Sequence, residues 1–206
     1  MNYKYPDTKI LVFCKAPIAG QVKTRLMPEL TAQQAADVHM ALTRHTMTML
    51  IDAHLSPIEL WCHPDTHHQF YTDCVYDYEV SLHQQQGIDL GERMHHAIST
   101  TLDHSSKVLL LGSDCPSLTA EDMEFTINAL QDNDVVIAPA EDGGYVMIAM
   151  TQAHPELFLD ILWGNTDVLP LTHKRIKQAG LSVIETKQQW DVDTFDDFHR
   201  FQQHGL

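Results

Sequence analysis

Basic residues are scarce in this sequence. Only 13 of its 206 residues are Lys or Arg, against 28 Asp or Glu, a formal net charge of −15. A surface of that sign repels phosphate backbones and anionic membranes at long range, which argues against a general nucleic-acid or membrane binder. No apolar run approaches the roughly 20 residues a helix needs to cross a bilayer. Met1 to Lys9 is polar and lacks the apolar core of a secretory signal. Four cysteines are present, Cys14, Cys62, Cys74 and Cys115, with no CxxC pair. Reduced thiols and a cytoplasmic setting are therefore expected. Repeats, low-complexity tracts and dividing linkers are also missing, so one domain over residues 1–206 is expected. Two phosphate fingerprints are absent as well. The Lys23-Thr24 pair follows Val22 instead of the glycine of a Walker loop, and no GxGxxG occurs.

What is present is a globular composition, 44% hydrophobic, in which short apolar runs alternate with helical patterns. Strands are expected at Lys9–Cys14, Ile58–Cys62, Glu79–His83, Lys107–Leu111, Asp134–Pro139, Tyr145–Met150 and Leu181–Thr186. Helices are expected from Ala32 to about Ala53 behind a Thr31 cap, Glu92–Leu102, from Thr119 to Leu130, Thr166–Ala179 with Pro170 in its first turn, and Phe195–Gln203. His63–Asp73 reads as a polar connection with room for a short helix. Such alternation implies a mostly parallel sheet with helices on both faces. The turn Asp142-Gly143-Gly144-Tyr145 joins two neighbouring strands, which makes at least one strand antiparallel.

Open α/β sheets bind ligands outside the carboxyl ends of their strands, and there this chain concentrates its charge, glycine and proline. The loop after the first strand holds three of the few cations, Lys15, Lys23 and Arg25, together with Gly20. A point charge, a planar guanidinium and a close-approaching backbone suit a phosphate group; incidental charges on a solvated loop are the alternative. From Val108 to His173 there is no Lys or Arg at all. Asp114 emerges after the buried run Leu109-Leu110-Leu111, and Asp191 and Asp193 follow the last strand. Carboxylates gathered without basic partners repel one another, and Mg²⁺ or Mn²⁺ relieves that. A turn cap before Pro116 is the alternative for Asp114, and capping of the last helix by Asp193 or Thr194 limits which of the last two acids reaches a metal. Glu141–Tyr145 reads either as an ordinary hairpin turn or as a turn that places Asp142 at an acceptor, as a base or an orienting group.

Several of these segments together resemble a known family. The run Val12-Phe-Cys-Lys-Ala-Pro-Ile-Ala-Gly-Gln-Val-Lys-Thr-Arg-Leu26 is similar to the opening of small bacterial proteins of the GT-A type, described as nucleotide-diphospho-sugar transferases or glycosyltransferases. The similarity continues through Asp89–Met94, Gly112–Pro116, Pro139–Tyr145, Trp163-Gly164 and Asp191–Thr194, nearly the whole chain. Cys14 stands where that family often has a small residue. The resemblance implies a Rossmann-like three-layer α/β/α sandwich with a mixed, mostly parallel sheet. It implies phosphates held by the first loop (Lys15, Ala16, Pro17, Gly20, Lys23, Arg25) and a base near Gln84–Arg93, with Asp89, Gly91 and Arg93 at the nucleotide. It implies a metal on Asp114 with Asp191 or Asp193. Asp142, Gly143, Gly144, Tyr145 and Trp163 would face the acceptor, and Asp142, Lys23 and Arg25 would carry the catalysis.

The same scaffold houses nucleotidyltransferases, including guanylyltransferases, whose first loop is also basic. Three functions follow: sugar transfer from a nucleotide sugar to a small-molecule acceptor; nucleotidyl transfer from a nucleoside triphosphate with release of pyrophosphate; or nucleotide binding without turnover. Sugar transfer is the preferred reading. The histidines add little: His63, His67 and His68 lack a closed ligand set, and adjacent His95 and His96 do not share a helix face. Met40, Met47 and Met49 fit a buried helix face. No coiled coil or exposed apolar stripe specifies an oligomer.

Overall fold

The computed structural model describes residues 2–203. Seven strands form one sheet: β1 (Thr8–Lys15), β2 (Ile58–His63), β3 (Ser81–Gln84), β4 (Lys107–Gly112), β5 (Val135–Pro139), β6 (Tyr145–Met150) and β7 (Val183–Glu185). Among the described residues there are six α-helices: α1 (Ala32–Ala53), α2 (Gln69–Tyr78), α3 (Leu90–Leu102), α4 (Ala120–Ala129), α5 (Val168–Ala179) and, after the last strand, α6 (Phe195–Gln203). Local chemistry sets the ends. Thr31 and Gln34 cap α1 reciprocally, as Thr119 and Asp122 cap α4. Pro170 is the third residue of α5, where a missing N–H leaves no intrahelical bond broken.

The polar connection after β2 contains a longer helix than the sequence suggests. His68 accepts a hydrogen bond from the Phe70 amide and starts α2, and Glu79 ends it in a left-handed conformation, φ 53°. That cap removes Glu79 from the third strand, which begins at Ser81. At the far edge, Ser182 is tied to the Asp134 carboxylate by its amide and hydroxyl, so the last strand is shorter than the apolar run.

The strand order is β3-β2-β1-β4-β6-β5-β7. Strand β6 runs antiparallel to both neighbours, β4 and β5, and every other pairing is parallel. Alternate residues feed two cores. Ile10, Val12, Leu60, Leu109 and Leu111 meet α1, α2 and α4 on one face. Leu11, Trp61, Leu110, Ile148 and Met150 meet α3 and α5 on the other. Burying each such side chain stabilises the fold by about 1.5–3 kcal/mol. Helix α6 lies outside α1, with Phe201 packed among Val38, Leu42, Trp190 and Val192. The result is a three-layer α/β/α sandwich with a mixed, mostly parallel sheet. Among the described residues no helix is long and apolar enough to cross a membrane.

Candidate active site

The loop after β1 is held against the sheet edge by two apolar side chains, not left in solvent. Val22 and Leu26 are buried, Leu26 in the cluster that joins α1 to Val192. Between them Lys23 adopts a left-handed conformation, φ 47° and ψ 39°, which turns its side chain inward. The Lys23 ammonium donates to Asp114 Oδ2 at 2.8 Å and Asp193 Oδ1 at 3.2 Å. Arg25 donates to Asp193 Oδ2 at 3.0 Å. Lys15, Lys23, Arg25, Asp114 and Asp193 thus line one cavity of about 350 Å³ outside the carboxyl ends of β1 and β4.

This arrangement corrects one step of the sequence argument. The acidic strand ends are not without basic partners. The chain's own loop supplies Lys23 and Arg25 from some 90 to 170 residues away in sequence, a distance at which local charge patterning says nothing.

Asp114, Asp191 and Asp193 can each bring one carboxylate oxygen within 4.8 Å of the others. The backbone makes this possible: the Val192 amide donates to the Asp114 carbonyl at 3.1 Å. The helix cap is settled by Thr194, whose hydroxyl accepts from the Asp197 amide while the Asp197 carboxylate accepts from the Thr194 amide and hydroxyl. Both Asp191 and Asp193 are therefore released from capping. Burial works against ionisation of Asp114, but the adjacent Lys23 ammonium outweighs it and holds the carboxyl below the usual carboxylate range. Burial likewise opposes the charge on Lys23, and Asp114 and Asp193 overcome it, pushing its pKa up to about 12. Asp191 forms no ion pair among the described residues, although the Lys23 charge pulls its pKa down. Burial and then the charges of Asp114, Asp193 and Asp142 push it up to about 7. Three hard oxygen donors in that space fit a divalent cation.

The Gln84–Arg93 segment divides its tasks. Arg93 lines the cavity and donates to the carbonyls of Gly87 and Ile88; Glu92 receives the Ile88 amide. Asp89 caps α3 by accepting from the Glu92 amide at 2.9 Å. Gly91 lies against the Phe158 carbonyl and the Trp163 indole. Neither Asp89 nor Gly91 lines the cavity; they build the loop that does.

The Asp142–Tyr145 turn stands next to the acids, close enough for Asp142 to act on Asp191. Asp142 is exposed, with Oδ1 receiving the Gly144 amide. Gly143 has φ +90°, and a β-carbon there would come within 2.6 Å of the Thr166 carbonyl, so only glycine fits. Tyr145 meets Trp163 edge-on, ring centroids 6.4 Å apart, and both lie outside the cavity wall. Ala16 is tied to β2, its amide donating to the His63 carbonyl at 2.7 Å. Gly20 has φ +83° with open space around it, and Pro17 is buried.

Sequence reasoning missed Phe13 and His39 on the cavity wall, and included Gln85 only as part of the segment Gln84–Arg93. Gln85 is buried, its Nε2 donating to the Trp61 carbonyl at 2.8 Å and its amide to the Cys62 carbonyl at 2.9 Å. Oε1 accepts no hydrogen bond among the described residues. His39, buried on α1, holds the Lys15 carbonyl at 2.9 Å through Nε2. A carbonyl only accepts, so Nε2 carries the proton, and burial lowers the pKa to keep the ring neutral. Its place on the apolar face of α1, between Ala35 and Leu42, was the available signal.

Comparison with known proteins follows the same lines. Residues 46–165, more than half of the chain, match the family described as "uncharacterized protein conserved in bacteria (DUF2064)". None of the curated proteins matches. A "putative nucleotide-diphospho-sugar transferase" from Desulfovibrio desulfuricans superposes with a TM-score of 0.86 and 30% identity, over 97% of this chain and 89% of that one. A 4-diphosphocytidyl-2C-methyl-D-erythritol synthase from Anaerococcus prevotii reaches 0.66 at 13% identity, over 97% and 98%. A Mycobacterium tuberculosis protein in complex with manganese reaches 0.58 at 15%, over 97% and 99%. At these two lower identities the likeness is one of fold.

Proposed function

This chain belongs to the bacterial DUF2064 family, and we propose that it is a metal-dependent transferase that passes a sugar from a nucleoside-diphosphate sugar to a small-molecule acceptor. One observation carries this reading: Lys15, Lys23 and Arg25 share a cavity with Asp114 and Asp193 at the carboxyl edge of the sheet, with Asp191 in reach. The likeness in sequence and fold to the Desulfovibrio desulfuricans protein described as a "putative nucleotide-diphospho-sugar transferase" supports it.

In this reading the base lies at the β2 end of the cavity, between Phe13 and Leu90, where Gln85 Oε1 accepts an N–H of its edge. The diphosphate lies over the loop after β1. Lys15, Lys23 and Arg25 hold its oxygens there and favour the charge that grows on it as it leaves. Mg²⁺ or Mn²⁺, held by Asp114 with Asp191 and Asp193, would neutralise further charge on the leaving diphosphate. Asp142, exposed beside the acids, takes the proton of the acceptor hydroxyl. The bond from that oxygen to the sugar carbon forms, the bond from the sugar carbon to the phosphate oxygen breaks, and the nucleoside diphosphate departs with the electron pair. Magnesium and manganese are equally served by three carboxylates.

A second reading, nucleotidyl transfer with release of pyrophosphate, draws on the same three cations, since a triphosphate carries more charge for them to hold. Its fold likeness to the Anaerococcus synthase is consistent with that chemistry. Thermal-shift measurement with nucleoside triphosphates and nucleotide sugars, each with and without Mn²⁺, tests the pair. Metal-dependent stabilisation strongest with a nucleotide sugar is expected. A stronger shift with a triphosphate moves the assignment to nucleotidyl transfer, and no shift with any nucleotide overturns both.

A further inference from the structure

Lys23 occupies the place that the proposed site assigns to a metal ion. Its ammonium touches Asp114 and Asp193 at 2.8 and 3.2 Å, and its side chain is only 6% exposed. The two carboxylates it bridges belong to the cluster that Asp191 completes, in which one oxygen of each acid lies within 4.8 Å of the others. A divalent cation coordinated there leaves no room for the ammonium, and at about 4 Å the two positive charges repel strongly in a partly buried setting.

We propose, resting on the reading of these acids as metal ligands, that Lys23 is an internal counter-ion that makes metal binding conditional on the substrate's phosphates. Without phosphate, a metal entering the cluster has to expel an ammonium that is already paired with two carboxylates. With a diphosphate over the loop, Lys23 exchanges carboxylate oxygens for phosphate oxygens, and Asp114 and Asp193 become free to coordinate. Val22 and Leu26 are both buried and stay anchored through this exchange, because the four-carbon stem of lysine moves its charge by rotation about its own bonds. Coupling of this kind is reciprocal: phosphate raises affinity for the metal by the factor by which the metal raises affinity for phosphate. Metal and donor then enter together, and the unloaded site does not gather stray divalent ions.

Equilibrium dialysis of the whole chain against Mn²⁺, with and without saturating inorganic pyrophosphate, tests this, because pyrophosphate-bound Mn²⁺ equilibrates freely and only protein-bound metal is in excess. Wild type is expected to bind Mn²⁺ about tenfold more tightly with pyrophosphate than without it. Lys23→Met is expected to bind Mn²⁺ alone about tenfold more tightly than wild type, and to gain less from pyrophosphate. Lys23→Arg, which keeps the cation, is expected to resemble wild type and guards against a misfolded methionine variant, whose folding is checked by its melting curve. Equal Mn²⁺ affinity of wild type with and without pyrophosphate overturns the coupling while leaving the metal site in place. Absence of Mn²⁺ binding by every protein under every condition overturns the metal reading on which it rests.

Discussion

Gly91 and Trp163 share one space. A β-carbon on residue 91 would stand 2.8 Å from the indole Cζ2, 2.9 Å from Nε1 and 2.6 Å from the Phe158 carbonyl. Since Trp163 also meets Tyr145 edge-on, this contact joins the start of α3 to the Asp142–Tyr145 turn. Gly91→Ala is expected to cost about 1–3 kcal/mol through overpacking, seen as a lower melting temperature. A melting curve that overlays wild type would show that the indole does not press on residue 91.

The raised pKa of Asp191 gives a prediction with a definite sign. Its folded-state value, about 7, lies above the ordinary 3.8, so between those values the folded protein holds a proton that the unfolded chain has lost. The contribution of Asp191 to the stability of the metal-free protein therefore falls as pH rises from about 4 to about 7. Metal coordination needs the carboxylate, so metal-dependent stabilisation moves the other way. Apparent affinity for Mn²⁺ with pyrophosphate should rise about tenfold between pH 6 and pH 8. Asp191→Asn is the control; if the variant keeps the whole pH slope, Asp191 is not its source.

The sheet and most of the helices were legible because buried runs such as Leu109–Leu111 and caps such as Thr31 and Thr119 are local signals. Tyr145–Met150 and Phe195–Gln203 have the expected bounds. Legibility failed where a single residue's conformation decides the boundary, as at Glu79, or where partners lie far apart in sequence. The Lys23–Asp114 pair is the clearest case: both residues stood out as charged strand-end positions, but composition alone could not reveal that the cation of one loop would neutralise the acids of another. Gln85 was not singled out within Gln84–Arg93 for a related reason. A glutamine in a polar stretch looks solvated until the carbonyl that fixes its amide is known.

The Thr194–Asp197 cap positions more than a helix. The Asp197 carboxylate also receives the Asp193 amide at 3.2 Å, so the cap fixes the backbone from which Asp193 reaches Lys23 and Arg25. Thr194→Ala is expected to lower stability by about 1 kcal/mol. Asp197→Ala should do the same and also weaken metal-dependent nucleotide binding, because Asp193 loses its anchor. Calorimetric titration of both variants separates the two effects; unchanged nucleotide affinity in Asp197→Ala would detach the cap from the site.

Gln85 and Asp114 stand at opposite ends of one nucleotide-sized span. The Gln85 amide is fixed on Trp61 and Cys62 at the end of β2, Asp114 follows β4, and β1 lies between them. Two strand spacings separate the ends, roughly 10 Å, about the reach from a base to its second phosphate. Because Nε2 is committed to a carbonyl that can only accept, Gln85 presents Oε1 as a fixed acceptor and favours a base with an N–H at that position. Gln85→Ala should therefore narrow the spread of affinities among ADP, CDP, GDP and UDP by about tenfold, the worth of one buried hydrogen bond. Pyrophosphate, which has no base, should bind the variant within about twofold of wild type. Titration with all five ligands in the presence of Mn²⁺ decides the matter. An unchanged ranking of the four nucleotides would move the base away from Gln85, whereas an equal loss for nucleotides and pyrophosphate would mean that the substitution has disturbed the phosphate loop itself.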